Sequence, residues 1–382
     1  MSGDLTGIVG AYGDVGSHAA RALHRAGARL RVGGRDARTA ERFARSLGPG
    51  VEHRAVDFRD PAGADAFAAG LRTLVNCAGP SYAIGTRLAE AALRAEADYV
   101  DAAGDDALYA RLDPRTYARA GRTAVLSAGL RPGLTGLFPR AVVREAEPAL
   151  GEVRGLTVHT GVVDRFTEAA ALDYLQGMAD GLTRPLAAWR EGGPRAGALT
   201  RRTGAELPFF DGGPGGVTVL PGLSTEDERL ARALGLRHGD WYAVLCGDHV
   251  RAAFDRARSL ERGEAVTALR RAALLDLADR APSVTLVVTA EGEPDDGGGG
   301  GGGPGTLTAV LRGTGNAPLS GAVAAGTALA VGRGAVGPGR HYAADVLDAP
   351  RVLEALTGPD GPARLTWLGP GAAPFAAEEG AL

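Results

Sequence analysis

The sequence contains no lysine, so all 42 of its Lys and Arg positions are arginine. Without lysine the chain cannot form the Schiff base on which pyridoxal-phosphate enzymes and class I aldolases depend. A Walker-type phosphate loop would also be without its essential lysine. Lysine-dependent covalent catalysis and that kind of nucleotide-binding loop are therefore excluded.

Other features are scarce as well. The two cysteines, Cys77 and Cys246, cannot build a disulfide framework, and no apolar run approaches the ~18 residues of a membrane-spanning helix. The net charge of -3 provides no basic footprint for nucleic acid or an anionic membrane. Residues 1–4 lack the positive region and apolar core of a signal peptide. We therefore expect a soluble, cytoplasmic protein that binds neither nucleic acid nor membrane.

Two further kinds of site are absent from the sequence. The seven histidines form no His-x-x-x-His pair and no Cys/His cluster at metal-ligand spacing, so no metal site is predicted. No Gly-x-Ser-x-Gly segment occurs, which excludes the nucleophile elbow of α/β-hydrolases.

A glycine-rich turn lies near the start of the chain. Gly10, Gly13 and Gly16 follow the apolar run 7–9 and precede a helix-like stretch, 17–26. A strand that turns on glycines into a helix points backbone N–H groups at one spot, which favours a pyrophosphate. Because 59 of 382 residues are glycine, a turn without a ligand stays the alternative until its context is considered. The predicted dinucleotide contacts are Gly10, Tyr12, Gly13, Asp14, Val15 and Gly16.

The context is the end of the next strand-like run, 28–32, which leads into Gly33, Gly34 and Arg35. An NAD-preferring site usually has an acidic residue there to hold the ribose 2′-hydroxyl. Glycine instead leaves room for a 2′-phosphate, which a guanidinium can bind bidentately. We therefore predict NADP(H) with Arg35 as phosphate ligand, a plain surface arginine being the alternative. Asp36 is interpreted as the N-cap of the next helix. The spacing is also typical of short-chain dehydrogenases, but their Tyr-x-x-x-Lys pair is impossible here.

The first 127 residues alternate between strand-like and helix-like runs, which predicts a parallel sheet with helices on both faces. Ligand loops then lie at the carboxyl ends of the strands. The predicted strands are 7–9, 29–32, 52–56, 73–77, 99–102 and 123–126, and the predicted helices are 16–26, 37–47, 61–70, 85–96 and 106–120.

After a Gly/Pro-rich turn at 127–134 the pattern changes to an α+β domain with a mostly antiparallel sheet. The heptaglycine 297–303 is interpreted as a hairpin connection between its last two strands. The predicted strands are 153–159, 217–219, 241–245, 284–288 and 307–311, and the predicted helices are 167–190, 226–234, 265–279, 320–332 and 345–356.

Two strings at the fourth and fifth strands are more distinctive than the glycines. Residues 76–80 read Asn-Cys-Ala-Gly-Pro, and residues 99–101 read Tyr-Val-Asp. With the glycine turn and the Gly-Leu-Arg-Pro-Gly-Leu segment at 129–134, the chain resembles the saccharopine dehydrogenase-like (saccharopine reductase) family. The resemblance covers residues 1–137, with weaker echoes beyond.

The resemblance implies an α/β protein with an N-terminal Rossmann domain, a doubly wound parallel sheet, at 1–135. An α+β domain at 136–318, for substrate and dimerisation, is inserted before a C-terminal segment, 319–382, that returns to the first domain. Members of the family include reductases that act through C=N intermediates and others proposed as enoyl reductases. The chain is shorter than the lysine-pathway enzymes and its second domain is rewritten, so saccharopine itself is not the expected substrate.

Site residues follow from the same resemblance. Cys77, Ala78, Gly79 and Pro80 would form the wall beside the ribose and nicotinamide, with Cys77 interpreted as an inert buried thiol. Asp57 would face the adenine edge, a helix-capping role being the alternative. Tyr82 would donate a proton or stack on substrate, and Asp101 would orient substrate or stabilise an iminium. For Tyr82 and Asp101, hydrogen bonding within the loops stays open as the alternative.

Three functions are consistent with these residues. The first is NADPH-dependent reduction of an imine or iminium in a small metabolite of specialised metabolism, because an iminium is electrophilic enough to need no strong acid. The second is reduction of a conjugated C=C bond in a lipid or polyketide chain. The third is a non-catalytic NADPH-binding sensor. The expected partner is a small-molecule substrate, and a homodimer through the second domain is left open.

Overall fold

The first 150 residues alternate between strands and helices in the computed structural model, which describes residues 4–278, 280–292 and 305–369. Four of the helices begin after an aspartate whose carboxylate accepts a backbone N–H of the first turn. The N-cap role predicted for Asp36 is confirmed, because its carboxylate accepts the Thr39 N–H at 2.6 Å. The strands are β1 (Leu5–Val9), β2 (Arg29–Gly34), β3 (Glu52–Ala55), β4 (Thr73–Asn76), β5 (Asp98–Asp101) and β6 (Thr123–Leu126). The helices are α1 (Asp14–Arg25), α2 (Ala37–Leu47), α3 (Pro61–Ala68), α4 (Ser81–Ile84), α5 (Arg87–Arg94), α6 (Asp106–Arg111), α7 (Pro114–Arg119) and α8 (Leu134–Leu150).

The middle of the chain is richer in strands. These are β7 (Val153–Val163), β8 (Thr183–Pro185), β9 (Ala188–Arg190), β10 (Gly193–Arg195), β11 (Arg202–Ala205), β12 (Val217–Ser224), β13 (His238–Leu245), β14 (Ser283–Gly292) and β15 (Thr306–Gly313). The helices are α9 (Glu168–Ala179), α10 (Thr225–Ala233), α11 (Asp248–Ala257) and α12 (Arg262–Asp276), with a short 3₁₀ turn at Gly213–Gly215. The C-terminal part adds α13 (Asn316–Gly332), β16 (Gly339–Tyr342), α14 (Ala343–Val346), α15 (Ala349–Thr357) and β17 (Ala363–Leu368).

Seven parallel strands form the first sheet, in the order β16-β6-β5-β4-β1-β2-β3. Alternate residues of its central strands enter two separate cores, because successive side chains of a strand point to opposite faces. Both faces are therefore buried, as a parallel sheet covered by helices requires. One core contains Ile8, Val75, Val100 and Val125, and the other contains Val9, Leu74, Tyr99 and Ala124. The strand order reverses between β1 and β4, where doubly wound sheets bind their ligands.

The small-residue helix α13 packs closely against α1. A Cβ on Gly321 would lie 2.5 Å from the Cβ of His18 and 2.8 Å from the backbone nitrogen of Ala19. Only glycine permits this approach, so the C-terminal part of the chain covers the helix that follows the glycine turn.

The second sheet has ten strands. Its main path is β10-β9-β13-β7-β14-β15-β17, and β12 pairs with β13, β11 and β8. All neighbours are antiparallel except β13 and β7, which are parallel. A layer of α9, α11 and α12 has its own apolar core around Ala171, Ala253 and Leu269.

The prediction of one long helix over 167–190 is wrong. Helix α9 ends at Ala179, and Gly181 then takes a left-handed backbone conformation with φ of 67°. The chain continues as the short strands β8 and β9, with Pro185 at the end of β8. Glycine and proline both oppose helix continuation, which accounts for the break.

The described residues divide into two units, one made of residues up to Leu137 with Asn316–Pro362, the other of Phe138–Gly315 with the residues from Ala363 onward. The expected return of segment 319–382 to the first unit therefore stops at Pro362. Strand β17 pairs instead with β15, in the second sheet, because its alternating Ala363, Leu365 and Trp367 suit a sheet edge. Strands β14 and β15 pair antiparallel, while the heptaglycine 297–303 between them lies outside the described residues. Within those ranges, the helices are too short or too polar for any of them to cross a membrane.

Candidate functional site

The glycine turn joins β1 to α1 under tight steric limits. A Cβ on Gly16 would lie 2.1 Å from the Gly10 carbonyl oxygen, and a Cβ on Gly10 would lie 2.7 Å from the Ala78 nitrogen. Gly10 also has a φ of 77°, and the Gly13 N–H closes the turn on the Gly10 oxygen at 3.0 Å. Gly13 is the N-cap of the 12-residue α1 and offers no side-chain cap. The start of this helix therefore suits a pyrophosphate, because a helix N-terminus favours an anion.

Arg35 stands directly after the end of β2. Its side chain is exposed and makes no hydrogen bond or ion pair with the residues that the structure describes. Arg59, in contrast, is held by Asp57 at 2.6 Å. A 2′-phosphate would therefore meet an uncommitted guanidinium at Arg35, so the residues present fit NADP(H).

Asp57 follows β3 and accepts both the backbone N–H and the guanidinium of Arg59. These bonds to Arg59 lower the pKa of Asp57 to about 2, with a smaller contribution from the charge of Arg35. The capping alternative does not apply, because Asp60 caps α3 by accepting the Ala62 N–H at 3.1 Å. The contact of Asp57 with adenine stays a prediction.

Asn76 organises the loop that follows β4. Its side-chain oxygen accepts the Ala78 N–H at 3.0 Å, and its amide group donates to Asp101 at 3.0 Å. The Cys77 N–H donates to the Val9 carbonyl oxygen at 2.9 Å. The segment predicted as the nicotinamide wall therefore lies beside the glycine turn, with Ala78 against Gly10. The peptide bond between Gly79 and Pro80 is cis.

The Cys77 thiol stays protonated at physiological pH. Burial raises its pKa to about 12, and the nearby charge of Asp101 acts in the same direction. Because the thiolate is the reactive form of cysteine, the neutral thiol is not a nucleophile at physiological pH. The residue is half-buried, and the interpretation of Cys77 as an inert buried thiol stays a prediction.

Asp101, at the end of β5, is 1% exposed and surrounded by donors. One carboxylate oxygen accepts the N–H groups of Ala103 and Gly104 at 2.9 and 2.8 Å. The other accepts the Asn76 amide and the hydroxyl of Tyr99. These bonds hold the loop after β5 and support the alternative interpretation of Asp101 as a loop-positioning group. A direct contact of Asp101 with substrate stays a prediction.

Two other side chains follow the carboxyl ends of β4 and β5. Tyr82 lies in α4 and is 43% exposed, and its role as proton donor stays a prediction. Asp105, which the sequence analysis missed, caps α6 through the Ala107 N–H at 3.1 Å. Burial raises the pKa of Asp105, so its protonated form persists to higher pH than in an ordinary aspartate. The signal available was the position of Asp105 just beyond a predicted strand end.

Comparisons with known proteins agree with this geometry. Residues 6–125 match the family model described as "Saccharopine dehydrogenase NADP binding domain". Apo saccharopine dehydrogenase (L-Glu forming) from Saccharomyces cerevisiae has a similar fold, with a TM-score of 0.67, 14% identity, and coverage of 96% of this chain and 100% of that chain. Because the yeast enzyme is covered over its full length, the expectation that this chain is shorter than the lysine-pathway enzymes is not supported. A putative myo-inositol dehydrogenase from Sinorhizobium meliloti 1021 gives a TM-score of 0.38 at 13% identity, over 74% of this chain and 73% of that one. No curated protein sequence matched the chain.

Proposed function

Residues 6–125 belong to the saccharopine dehydrogenase NADP-binding domain family, and on that premise we propose an NADPH-dependent reductase acting on a C=N bond of a small metabolite. When bound, NADPH supplies a hydride from its nicotinamide ring. Gly10, Gly13 and Gly16 would hold the pyrophosphate at the start of α1, and Arg35 would hold the 2′-phosphate.

The chemistry of the loops after β4 and β5 carries the proposal. Cys77 keeps its proton, since burial raises the pKa of the thiol to about 12, and Asp101 is occupied by hydrogen bonds from its own loop. Neither residue is suited to covalent catalysis. Hydride transfer to an iminium needs neither a nucleophile nor a strong acid, because the acceptor carbon is already electrophilic. What the site must provide is an orientation with the reacting atoms ~3–3.5 Å apart in a dry environment.

A proton is needed only if the substrate arrives as a neutral imine. Asp105 is then the better candidate donor, because burial raises its pKa and keeps its proton to higher pH. Tyr82 is the second candidate, in the loop on the nicotinamide side. Both residues follow strands that neighbour each other in the first sheet, β4 and β5.

The reaction is tested by NADPH oxidation at 340 nm with cyclic imines, with mixtures of carbonyl compound and amine, and with conjugated enoyl thioesters. With NADPH deuterated at C4, mass spectrometry should locate deuterium on the carbon bonded to nitrogen. Deuterium at the β-carbon of an enoyl substrate would replace this proposal with C=C reduction. Tight NADPH binding without oxidation of any acceptor would indicate a sensor instead.

The cofactor preference is tested in the same experiment by Arg35→Ala. Loss of a charge-assisted hydrogen bond should weaken NADPH binding by about tenfold to a hundredfold and leave NADH binding unchanged. Arg42→Ala is the matched control, since it removes an exposed arginine from α2, the helix that follows Arg35. An unchanged NADPH-to-NADH ratio in Arg35→Ala would refute the assignment of Arg35.

A further inference from the structure

Tyr12 belongs to the glycine turn, and its side chain reaches the end of β2. Its hydroxyl oxygen accepts the backbone N–H of Asp36 at 2.9 Å. Its ring covers Gly34, the last residue of β2. A Cβ built on Gly34 would meet Cε1, Cζ and Oη of Tyr12 at 2.5, 2.6 and 2.7 Å.

We propose that Tyr12 is a residue that determines nucleotide specificity, because its ring occupies the space that an acidic side chain at position 34 would need. An acidic residue at the end of this strand is what an NAD-preferring site uses to hold the ribose 2′-hydroxyl. With that position closed, the strand end cannot favour NAD by this means. The inference rests on the proposed function only for placing the 2′-phosphate beside Arg35.

The exclusion at Gly34 is specific to Tyr12. The backbone of Gly34 lies outside the left-handed region, so it would accept a side chain, and all three nearest atoms to the added Cβ belong to Tyr12. Gly33 differs, since its Cβ would meet Phe67 at 2.4 Å and Val56 at 2.8 Å, both in the buried core. The core therefore closes position 33, and Tyr12 closes position 34.

The surrounding contacts complete the arrangement. The Ala11 N–H donates to the Gly33 carbonyl oxygen at 3.0 Å, so the turn and the strand end are joined through backbone as well as through Tyr12. The carboxylate of Asp36 is turned to the start of α2, where it accepts the Thr39 N–H at 2.6 Å. The acidic group nearest in sequence is thus engaged as a helix cap, and the preceding Arg35 makes no hydrogen bond or ion pair with the described residues.

The experiment compares Gly34→Asp, Tyr12→Ala and the double variant by calorimetric titration with NADP⁺ and NAD⁺ and by thermal melting, with no substrate present. Gly34→Asp alone should lower the melting temperature and weaken the binding of both nucleotides by at least about tenfold, because overpacking against Tyr12 displaces the glycine turn. The double variant should melt as Tyr12→Ala does. It should also bind NAD⁺ at least about tenfold more tightly than NADP⁺, since the new carboxylate binds the 2′-hydroxyl and repels a phosphate.

Two controls distinguish the effect of the Tyr12 ring from the effects of neighbouring residues and of the Tyr12 hydroxyl. Gly33→Asp should not be rescued by Tyr12→Ala, because Phe67 and Val56 still fill that space. Tyr12→Phe, which keeps the ring and removes the hydroxyl, should not restore the melting temperature or the nucleotide binding of Gly34→Asp.

The inference is overturned if Gly34→Asp alone binds NAD⁺ as tightly as the double variant. It is also overturned if the double variant still prefers NADP⁺, or if it melts no higher than Gly34→Asp. These are binding and melting results, so failure to find hydride transfer in the unaltered protein would refute the proposed reduction and leave them standing.

Discussion

The buried His159 makes the stability of the second unit dependent on pH. It lies in β7 with 2% of its surface exposed, and its ring stacks on Tyr242 with ring centroids 4.6 Å apart. Burial, with a further contribution from the charge of Arg202, lowers the pKa of His159 from 6.5 to about 3. The folded protein therefore keeps this imidazole neutral at pH values where the unfolded chain binds a proton.

The sign and size of the effect follow from proton linkage. Between pH 6.5 and 3 the unfolded state binds more protons at this residue, so the free energy of unfolding falls as the pH falls. With the pKa at 6.5 unfolded and about 3 folded, lowering the pH from 7 to 5 should cost about 2 kcal/mol of stability from His159 alone. Most of this loss appears below pH 6.5.

The assay is urea unfolding at pH 7, 6 and 5, followed by tryptophan fluorescence. All three tryptophans, at 189, 241 and 367, lie in the second unit, so the signal reports the unit that contains His159. His159→Leu should reduce the loss of stability between pH 7 and 5 by about 2 kcal/mol relative to the unaltered protein. His53→Ala, at an exposed histidine of β3 in the first unit, is a control outside the second unit and should leave the loss unchanged.

The comparison uses the slope of stability against pH, so the packing cost of the leucine cancels. Equal losses in the unaltered protein and in His159→Leu would refute the reasoning, because they would mean that His159 takes up its proton equally in both states.

Two further predictions concern the loops of the first unit. Asp101→Asn keeps the shape of the side chain but replaces one carboxylate oxygen with an NH₂ group that faces two of the four donors, and it should cost about 2–4 kcal/mol in denaturant unfolding with weaker NADP⁺ binding; unchanged stability would contradict the network. Cys77 should resist iodoacetamide in the native protein at pH 8, since burial raises the pKa of its thiol to about 12, and peptide mass spectrometry showing rapid alkylation of Cys77 would contradict this.

Local patterns were enough to predict most of the first sheet. Strands β1 to β6 are short runs separated by helices, apolar in most cases although β3 is largely polar, and the six predicted strands overlap them. The N-cap at Asp36 was predictable for the same reason, because a cap involves residues within one turn of helix. Elements whose determinants are close in sequence were therefore predictable from the local pattern.

Contacts distant in sequence were not predictable in this way. Strand β16 pairs with β6 across more than 200 residues, and its residues were not among the predicted strands. Strand β17 was not predicted either, since a single edge strand with Arg364 and Thr366 resembles a polar loop. In the site, Tyr12 over Gly34 was missed because nothing in the residue types shows that the ring folds back on β2.

The loop segments that carried the family resemblance have a clearer role in holding the loops in place than in catalysis. Asn76 links the loop after β4 to Asp101, and Asp101 holds the loop after β5 through Gly104. Ser127, after β6, donates to the Gly104 carbonyl oxygen at 2.8 Å, and Ala78 packs against Gly10 after β1. Hydrogen bonds and close backbone contacts thus connect the loops at the carboxyl ends of four strands, β1, β4, β5 and β6. Since hydride transfer depends on placement more than on reactive side chains, residues that fix these loops are the ones such a site requires.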